Sequence, residues 1–264
     1  MLKNLMVVAA VGVAASGSQA AVLYATSFEQ PTFVSGSLGG QDGWTSASNP
    51  ANLFQVNATA GFARTGSQFV FADSSAGAAN GSQWNFRPNV IAPVTSPSII
   101  RASVWTAVLN NTVAAVRRTT SAGIDLYDDS GAFRIGAIRI RNDGTVSILN
   151  GFNQIASTGA GAVTPNAYNQ VAIEADFATH TLSYYVNGVL VGTPAGFGVF
   201  DNAVTGFGDA DLWVTRLFTG TTGQAQSGGH TALFDDFSLE TVPAPSSLGL
   251  MGVAGLVAAR RRRA

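Results

Sequence analysis

Glu174 and Asp176 are two carboxylates at alternate positions of the short segment 168–177. Alternate side chains of an extended strand point to the same face, so we expect these two carboxylates to lie side by side. Retaining glycosidases need two carboxyl groups about 5–5.5 Å apart, one as nucleophile and one as acid. The spacing is compatible with hydrolysis of a glycosidic bond, and a solvated strand face is the simpler interpretation.

Other side chains with catalytic chemistry are few. The chain contains no Cys and two histidines, His180 and His230, which lack the spacing of a metal-binding pair. No Gly-x-Ser-x-Gly sequence is present, so a serine nucleophile of the hydrolase elbow type is not predicted.

Exposed aromatic rings would bind sugars by stacking, with polar groups setting their orientation. The candidates are Trp44, which follows a glycine-rich stretch, Trp213 and Tyr185. Tyr184 and Tyr185 are adjacent, so one of the two rings faces outward in a strand. Trp105 lies within an apolar segment, and we expect it in the core.

The elements that would position these residues are strands. Short segments rich in β-branched and aromatic residues predict about a dozen strands between residues 21 and 241, without a helical segment among them. Segment 168–177 alternates apolar and polar residues, Asn187-Gly188 is a strong hairpin signal, and a phase change at Gly136 predicts a bulge. We therefore predict an all-β fold, an antiparallel β-sandwich of the jelly-roll type over residues 21–241.

The N-terminal residues predict export. Lys3 is the only lysine, an apolar run covers residues 5–15, and small residues lead to Ala20. The apolar run is shorter than the roughly 20 residues that span a bilayer. This order predicts a secretory signal peptide over residues 1–20, cut after Ala20.

The C-terminal segment 242–264 has three parts in sequence. They are the motif Val242, Pro243, Ala244 and Pro245, an apolar stretch, and the basic tail Arg260, Arg261, Arg262 and Arg263. The apolar stretch predicts a single membrane helix, and the arginines favour the cytoplasmic side. The arrangement resembles the sorting signal of the PEP-CTERM proteins of Gram-negative bacteria, with Ala244 where that family has Glu. The resemblance implies an exosortase-like processing enzyme as partner, transient anchoring in the inner membrane, and a final location at the cell surface or outside the cell.

Charge changes sign when the predicted signals are set aside. The whole chain has 14 basic and 15 acidic residues, and only 11% of its residues are charged. The two predicted signals contain one lysine and four arginines, so the remaining domain has nine basic and 15 acidic residues, a net charge of about −6. An acidic exported domain has no electrostatic reason to bind nucleic acid.

Segment 168–192 resembles a family of folds. Its alternating strand, polar turn and Tyr185-Val186-Asn187-Gly188 hairpin are similar to those of laminin G-like and concanavalin A-like sandwiches. Laminarinase-like hydrolases share the concanavalin A-like fold and use a Glu-x-Asp-x-x-Glu strand. Here Thr179 stands where the second Glu of that motif would be, which implies a hydrolase without its acid/base.

A second resemblance concerns the two ends of the domain. Galactose-binding-like jelly rolls often begin with a Phe-Glu strand and end with an Asp-Asp strand, as at Glu29 and at Asp235-Asp236. This implies a structural Ca²⁺ at Glu29, Asp235 and Asp236, and strands at the two termini that pair. The aspartate pairs 128/129 and 209/211, which we expect in loops, are alternative Ca²⁺ ligands, although aspartates in turns more often cap the backbone.

From these patterns we expect an exported, non-catalytic surface or matrix protein that binds exopolysaccharide. A degenerate laminarinase-like glycoside hydrolase and a purely structural adhesion protein are the alternatives. No cofactor is predicted beyond the structural Ca²⁺.

Overall fold

The computed structural model describes residues 20–46, 54–73, 83–88, 99–110, 118–150, 153–158, 163–197, 204, 206–218 and 230–242. Ala21–Val242 form one compact unit. The predicted signal peptide and the predicted C-terminal helix with its arginines lie outside the described residues. None of the residues in the ranges above belongs to a helix long and apolar enough to cross a membrane.

The described residues form sixteen strands and no helix. These are β1 (Ala21–Thr26), β2 (Gly36–Ser37), β3 (Trp44–Ser46), β4 (Phe54–Asn57), β5 (Phe69–Asp73), β6 (Gln83–Pro88), β7 (Ile99–Asn110), β8 (Arg118–Asp128), β9 (Arg134–Arg141), β10 (Val146–Asn150), β11 (Asn153–Thr158), β12 (Asn169–Asp176), β13 (Thr181–Val186), β14 (Val189–Ala195), β15 (Phe207–Phe218) and β16 (His230–Val242).

The strands belong to two antiparallel sheets. Sheet A has nine strands in the order β14-β13-β12-β7-β16-β5-β4-β2, with β1 paired to β16. Sheet B has seven strands in the order β11-β10-β9-β8-β15-β6-β3. The predicted all-β sandwich and the predicted pairing of the terminal strands are confirmed. We call the face of each sheet that is turned away from the other sheet its outer face.

Side-chain alternation builds the core between the two sheets. In β12, Val171, Ile173 and Ala175 are fully buried in that core, while Glu174 stays partly exposed. In β13 the adjacent tyrosines face opposite ways, with Tyr184 fully buried and Tyr185 partly exposed. The alternation predicted for both strands is confirmed.

The bulge predicted near Gly136 is also confirmed. Leu126 of β8 pairs with Gly136, but the next residue, Tyr127, pairs with Arg134, so Ile135 is the extra residue. A Cβ atom at Gly136 would lie 2.9 Å from both the Cδ1 atom of Leu182 and the hydroxyl oxygen of Tyr184. A larger residue at this position would require the ends of the Leu182 and Tyr184 side chains in the opposite sheet to shift.

The differences from the sequence-based expectation include three strands and the start of β15. β2, β3 and β11 were not predicted, because β2 and β3 have only two and three residues and β11 is rich in polar residues. β15 begins at Phe207, so Asp209 and Asp211 lie within a strand and not in a loop as expected. Because β15 begins earlier than expected, the Asp209 and Asp211 carboxylates both lie on one face of sheet B.

Candidate functional site

Trp44 is a core residue, and its prediction as a sugar platform is wrong. Its side chain is fully buried, and its indole N–H donates to the hydroxyl oxygen of Tyr24 at 2.9 Å. Phe237 packs edge-on against the ring, with 5.4 Å between centroids. The ring is enclosed by these neighbours, so no face is open to a ligand.

The outer face of sheet B carries a buried ionic cluster centred on Asp125. Arg139 donates to both carboxylate oxygens of Asp125 at 2.6–3.2 Å, and Arg134 donates to one of them at 3.0 Å. Asp125 is fully buried, and the two arginines are 5–6% exposed. Buried charges need such partners, because an isolated ion in a protein interior is costly. The cluster therefore fixes two positive charges and one negative charge at the centre of this sheet.

Two more carboxylates and a tryptophan lie beside this cluster on β15. Ala210, Leu212 and Val214 point into the core, so Asp209, Asp211 and Trp213 alternate onto the outer face. Asp211 is directly opposite Asp125 in the β8–β15 ladder, and Asp209 is opposite Tyr127. Side chains that face each other in this way have Cβ atoms about 4.5–5.5 Å apart.

Trp213 is part of the same arrangement. The guanidinium carbon of Arg139 lies 4.4 Å from the centroid of its ring, a cation–π contact. Trp213 is only 6% exposed, and Arg139 already covers its ring. Little of the ring is therefore open to a sugar in the role predicted for it.

Tyr127 reports the electrostatics of this site. Burial is the main cause that raises the pKa of its phenol, and the negative charges of Asp125 and Asp211 raise it further. Arg134 and Arg139 act in the opposite direction. The phenol therefore keeps its proton at neutral pH and is available as a donor to the neighbouring carboxylates.

Residues 123–128 carry a sequence signal for this site. Residues 123–128 read Gly-Ile-Asp-Leu-Tyr-Asp, which resembles the Glu-x-Asp-x-x-Glu pattern with Gly123 in the first acidic position and Asp128 in the third. A Cβ atom at Gly123 would collide with the carbonyl oxygen of Ile138, so no larger side chain fits there. Asp128 caps the following turn by accepting from the hydroxyl of Ser130 and the N–H of Phe133. The carboxylate next to Asp125 is supplied instead by Asp211, from a neighbouring strand.

The Glu174-x-Asp176 pair on the outer face of sheet A is divided between two structural roles. Glu174 accepts from Arg101 at 2.8 Å and from the hydroxyl of Tyr185 at 2.8 Å. Asp176 accepts from the backbone N–H groups of the turn at 178–179. Tyr185 thus lies on the outer face, as predicted, and its hydroxyl is held by Glu174.

Glu29 holds a loop and does not stand alone at the sheet edge. Its carboxylate accepts from the backbone N–H groups of Ser67 and Gln68 at 2.8 and 2.7 Å, and from the Ser67 hydroxyl at 2.9 Å. Burial alone would raise the pKa of Glu29, but the hydrogen bonds from Gln68 and Ser67 outweigh it and lower the pKa below its ordinary value.

Asp235 and Asp236 hold the same loop from the other side. Asp235 accepts from the N–H groups of Arg64 and Thr65 at 2.9 and 3.1 Å, and Asp236 pairs with the guanidinium of Arg64 and the hydroxyl of Thr65. Burial is the main cause that raises the pKa of Asp235 to about 6, with a further contribution from the charge of Asp236.

The calcium prediction has another structural explanation. Glu29, Asp235 and Asp236 anchor the loop through N–H and O–H donors, which occupy oxygens that a cation would need. In the part of the chain that the structure describes, no group of three or more His, Cys, Asp or Glu residues could hold a metal ion. A structural Ca²⁺ at this position stays a prediction.

Trp105 corrects a further expectation, because it lies on the outer face of sheet A and not in the core. The guanidinium carbon of Arg64 lies 3.7 Å from the centroid of its indole ring. Trp105 and Arg64 line an open cleft of about 770 Å³ together with Glu29, Asp42, Gln170, Asp236 and other polar residues.

Solved glucanases share this fold at low sequence identity. An endo-1,3-β-glucanase from Streptomyces sioyaensis matches 86% of this chain and 98% of its own length, at 14% identity and a TM-score of 0.53. SCLam, an endo-β-1,3(4)-glucanase of family GH16, matches 84% of this chain and 91% of its own length, at 12% identity and a TM-score of 0.50. A sialidase matches 77% of this chain at 12% identity and a TM-score of 0.46, and this chain spans 17% of the sialidase's length.

No protein-family model matches the sequence, and no curated protein matches it. The likeness to solved structures therefore establishes the fold, a β-sandwich, and nothing finer.

The prediction of a non-catalytic protein is contradicted by these structures. The two glucanases align with this chain over nearly their entire length, so this chain has a fold that is also found in glycoside hydrolases. A fold of this kind gives no reason to exclude catalysis, and the expectation of a protein without enzymatic activity is withdrawn.

Proposed function

We propose that this protein is an exported glycoside hydrolase of the glucanase-like sandwich type, acting on a β-linked glucan at the outer face of sheet B. One observation carries the proposal: Asp125, Asp209 and Asp211 lie at adjacent positions of paired strands on the same face. Glycosidases work with closely spaced carboxylates of this kind. The fold shared with two endoglucanases supports the choice of substrate class.

The proposed reacting groups are Asp209 and Asp211. Their alternate positions on β15 place their Cα atoms about 6.7 Å apart, so the two carboxylates can flank one glycosidic bond. Asp209 donates a proton to the leaving oxygen while the Asp211 carboxylate attacks the anomeric carbon and the carbon–oxygen bond breaks. Asp209 then takes a proton from water, whose oxygen replaces Asp211 on the sugar. Asp125 and its two arginines act as positioning residues that hold a fixed charge beside this pair.

The test is hydrolysis of laminarin, a β-1,3-glucan, measured as release of reducing ends. We expect the full chain to release them and the variants Asp209→Asn and Asp211→Asn to lose about 100-fold or more in rate. Glu174→Gln is the matched control, because Glu174 is also a carboxylate on a strand but lies on the other sheet. Equal activity of Asp211→Asn and the unchanged chain would overturn the proposal, and loss of activity in Glu174→Gln alone would move the site to sheet A.

Substrate access provides a second test, since Asp209, Asp211 and Trp213 are only 2–9% exposed. Reaction at this face requires that glucan binding changes the surroundings of Trp213. We expect a change in tryptophan fluorescence when a laminarin oligosaccharide is added, and a smaller change in Trp213→Phe. A signal of the same size in Trp213→Phe would show that the sugar binds elsewhere.

The proposed location outside the cell rests on the sequence of the two ends. Residues 1–20 supply an export signal, and residues 242–264 supply a PEP-CTERM-like signal for an exosortase-like enzyme. Deletion of residues 243–264 is expected to release the protein from the cell envelope into the medium, as detected by immunoblotting of cell fractions. Unchanged retention would contradict the proposed sorting.

A further inference from the structure

The open cleft on the outer face of sheet A is separate from the carboxylates of sheet B. Its floor is formed by residues of β12, β7 and β16, including Gln170, Trp105 and Ser238. One wall is formed by the end of β1 and the residues after it, including Glu29 and Gln30. Arg64 comes from the loop that Glu29 and Asp235 anchor. A volume of about 770 Å³ is within the range of small-molecule sites, and the cleft is open along one side.

An ion pair lies beside an aromatic ring in this cleft. The Arg64 guanidinium lies over the Trp105 ring and pairs with Asp236. Side-chain exposures of 32% for Arg64 and 24% for Asp236 leave the pair in contact with solvent. A donor group beside an acceptor group matches two neighbouring hydroxyl groups of a sugar ring, because each hydroxyl both donates and accepts.

Backbone strain is concentrated around the same cleft. Phe28, Asp42 and Asp236 are non-glycine residues with φ of 60°, 45° and 45°. The other described non-glycine residues with positive φ are Asn166, His180 and Asn187, which occupy turns. Asp236 lies in a bulge of β16, where the pairing with β7 skips from Asp235 to Ser238. Positive φ in a bulky residue such as Phe28 costs free energy, and strain of this kind is often kept at ligand-binding sites.

The charge of the cleft selects among polysaccharides. Glu29, Asp42 and Asp236 are acidic and Arg64 is basic, so these four residues have a net charge of −2. A polymer of uronic acids would be repelled, whereas a neutral polymer would be accepted.

We propose that this cleft is a second polysaccharide-binding site, specific for neutral glucan, that holds the polymer on the opposite face of the sandwich from the hydrolytic carboxylates. The Arg64–Asp236 pair binds the hydroxyl groups of one sugar unit, and Gln170 and the Ser103–Ser238 hydroxyl pair contact its neighbour along the floor. The identity of the polymer rests on the proposed function, and the existence of the site does not.

The experiment is affinity gel electrophoresis of the full chain in gels that contain laminarin, which is neutral, or alginate, a polymer of uronates. Asp211→Asn is run beside the unchanged chain so that hydrolysis does not consume the polymer. We expect laminarin to retard both proteins and alginate to retard neither. Arg64→Ala should weaken laminarin binding about tenfold, the loss that removal of one charged hydrogen-bonding group causes.

A second variant covers the case in which Arg64→Ala disturbs the loop. Gln170→Trp fills the cleft from a strand position that does not hold the loop, and it should also weaken binding. Arg101→Ala is the control, because Arg101 is a β7 neighbour on the same outer face but outside the cleft. Undiminished laminarin binding in both cleft variants, or retardation by alginate equal to that by laminarin, would overturn the inference. Binding without any hydrolysis would refute the proposed function and leave the cleft site intact.

Discussion

The ion pairs on the two outer faces of the sandwich differ in how far their side chains are exposed to solvent. On sheet B, Asp125 is paired with Arg134 and Arg139, and the side chains of these residues are 0–7% exposed. On sheet A, Arg101 is paired with Glu174 and Glu240, and these side chains are 20–30% exposed. Water therefore screens the second group and hardly reaches the first.

This contrast assigns different capacities to the two faces. A buried cluster keeps its charges in a fixed geometry, which suits stabilisation of a reacting group. A partly solvated face with an open cleft suits reversible binding of a polar ligand. In a chain in which only 11% of residues are charged, the concentration of buried charge on sheet B is the feature that most needs a functional explanation.

The largest expected effect is the removal of the Asp125 carboxylate. Asp125→Ala leaves two buried guanidinium groups without their shared partner, which should lower the free energy of unfolding by about 3–5 kcal/mol. Glu174→Ala removes the equivalent carboxylate from sheet A and should cost about 0.2–1 kcal/mol, because its pair is partly exposed. Urea unfolding followed by circular dichroism measures both values. Similar losses in the two variants would mean that the faces do not differ in this way.

The next effect concerns the glycines of β8 and β9. Gly123→Ala brings a Cβ atom against the backbone carbonyl of Ile138, which cannot move without breaking the β8–β9 ladder. Gly136→Ala meets the ends of the Leu182 and Tyr184 side chains, and these have some freedom to shift. We expect Gly136→Ala to cost about 1–3 kcal/mol and Gly123→Ala to cost more. Thermal unfolding of both variants checks this order. A smaller loss in Gly123→Ala would mean that a side chain fits at position 123, and the contact with Ile138 would not explain why no carboxylate stands there.

The sequence predicted what depends on local alternation. Segment 168–177, its hairpin and the bulge at Gly136 all follow from residues that are close together in the chain. Trp105 could also have been placed correctly, because Ile100, Ala102 and Val104 fix the opposite phase of β7 as the buried one.

The ionic cluster could not be predicted from the sequence, because it depends on the order of the strands in the sheet. Asp125 and Asp211 are 86 residues apart, and only the pairing of β8 with β15 brings them together. The prediction of Trp44 as a sugar platform was wrong for a related reason. Glycines before a tryptophan indicate a loop but do not tell which way its ring turns.

Opposite pH effects are expected from the two carboxylates that hold the loop of sheet A. Asp235 has its pKa raised from 3.8 to about 6, so its contribution to stability is fully present below pH 3.8 and is lost as the pH rises through 6. Glu29 has a lowered pKa, so its contribution is present above pH 4.5 and is lost as the pH falls. Unfolding free energies of the unchanged chain, Asp235→Asn and Glu29→Gln, measured between pH 3 and 7, test this.

In that series, the free energy of unfolding of the unchanged chain relative to that of Asp235→Asn should fall by about 1.4 kcal/mol for each unit by which the pH rises between 4 and 6. The free energy of unfolding of the unchanged chain relative to that of Glu29→Gln should increase as the pH rises over the lower part of the range. Parallel pH profiles for the two variants would show that the two carboxylates do not differ in their surroundings.

The smallest effect is the response of the two ion pairs to salt. A double-mutant cycle on Arg101 and Glu174 should give a coupling energy of about 0.2–1 kcal/mol at low ionic strength that decreases toward zero in 1 M NaCl. The corresponding cycle on Arg139 and Asp125 should give a larger coupling that changes little, because counterions do not enter a cluster that is 0–7% exposed. The comparison does not depend on the absolute stability of any one variant, since each cycle subtracts the single replacements. If both couplings fell equally with salt, water would reach sheet B as easily as sheet A, and the fixed charge proposed to support hydrolysis would be lost.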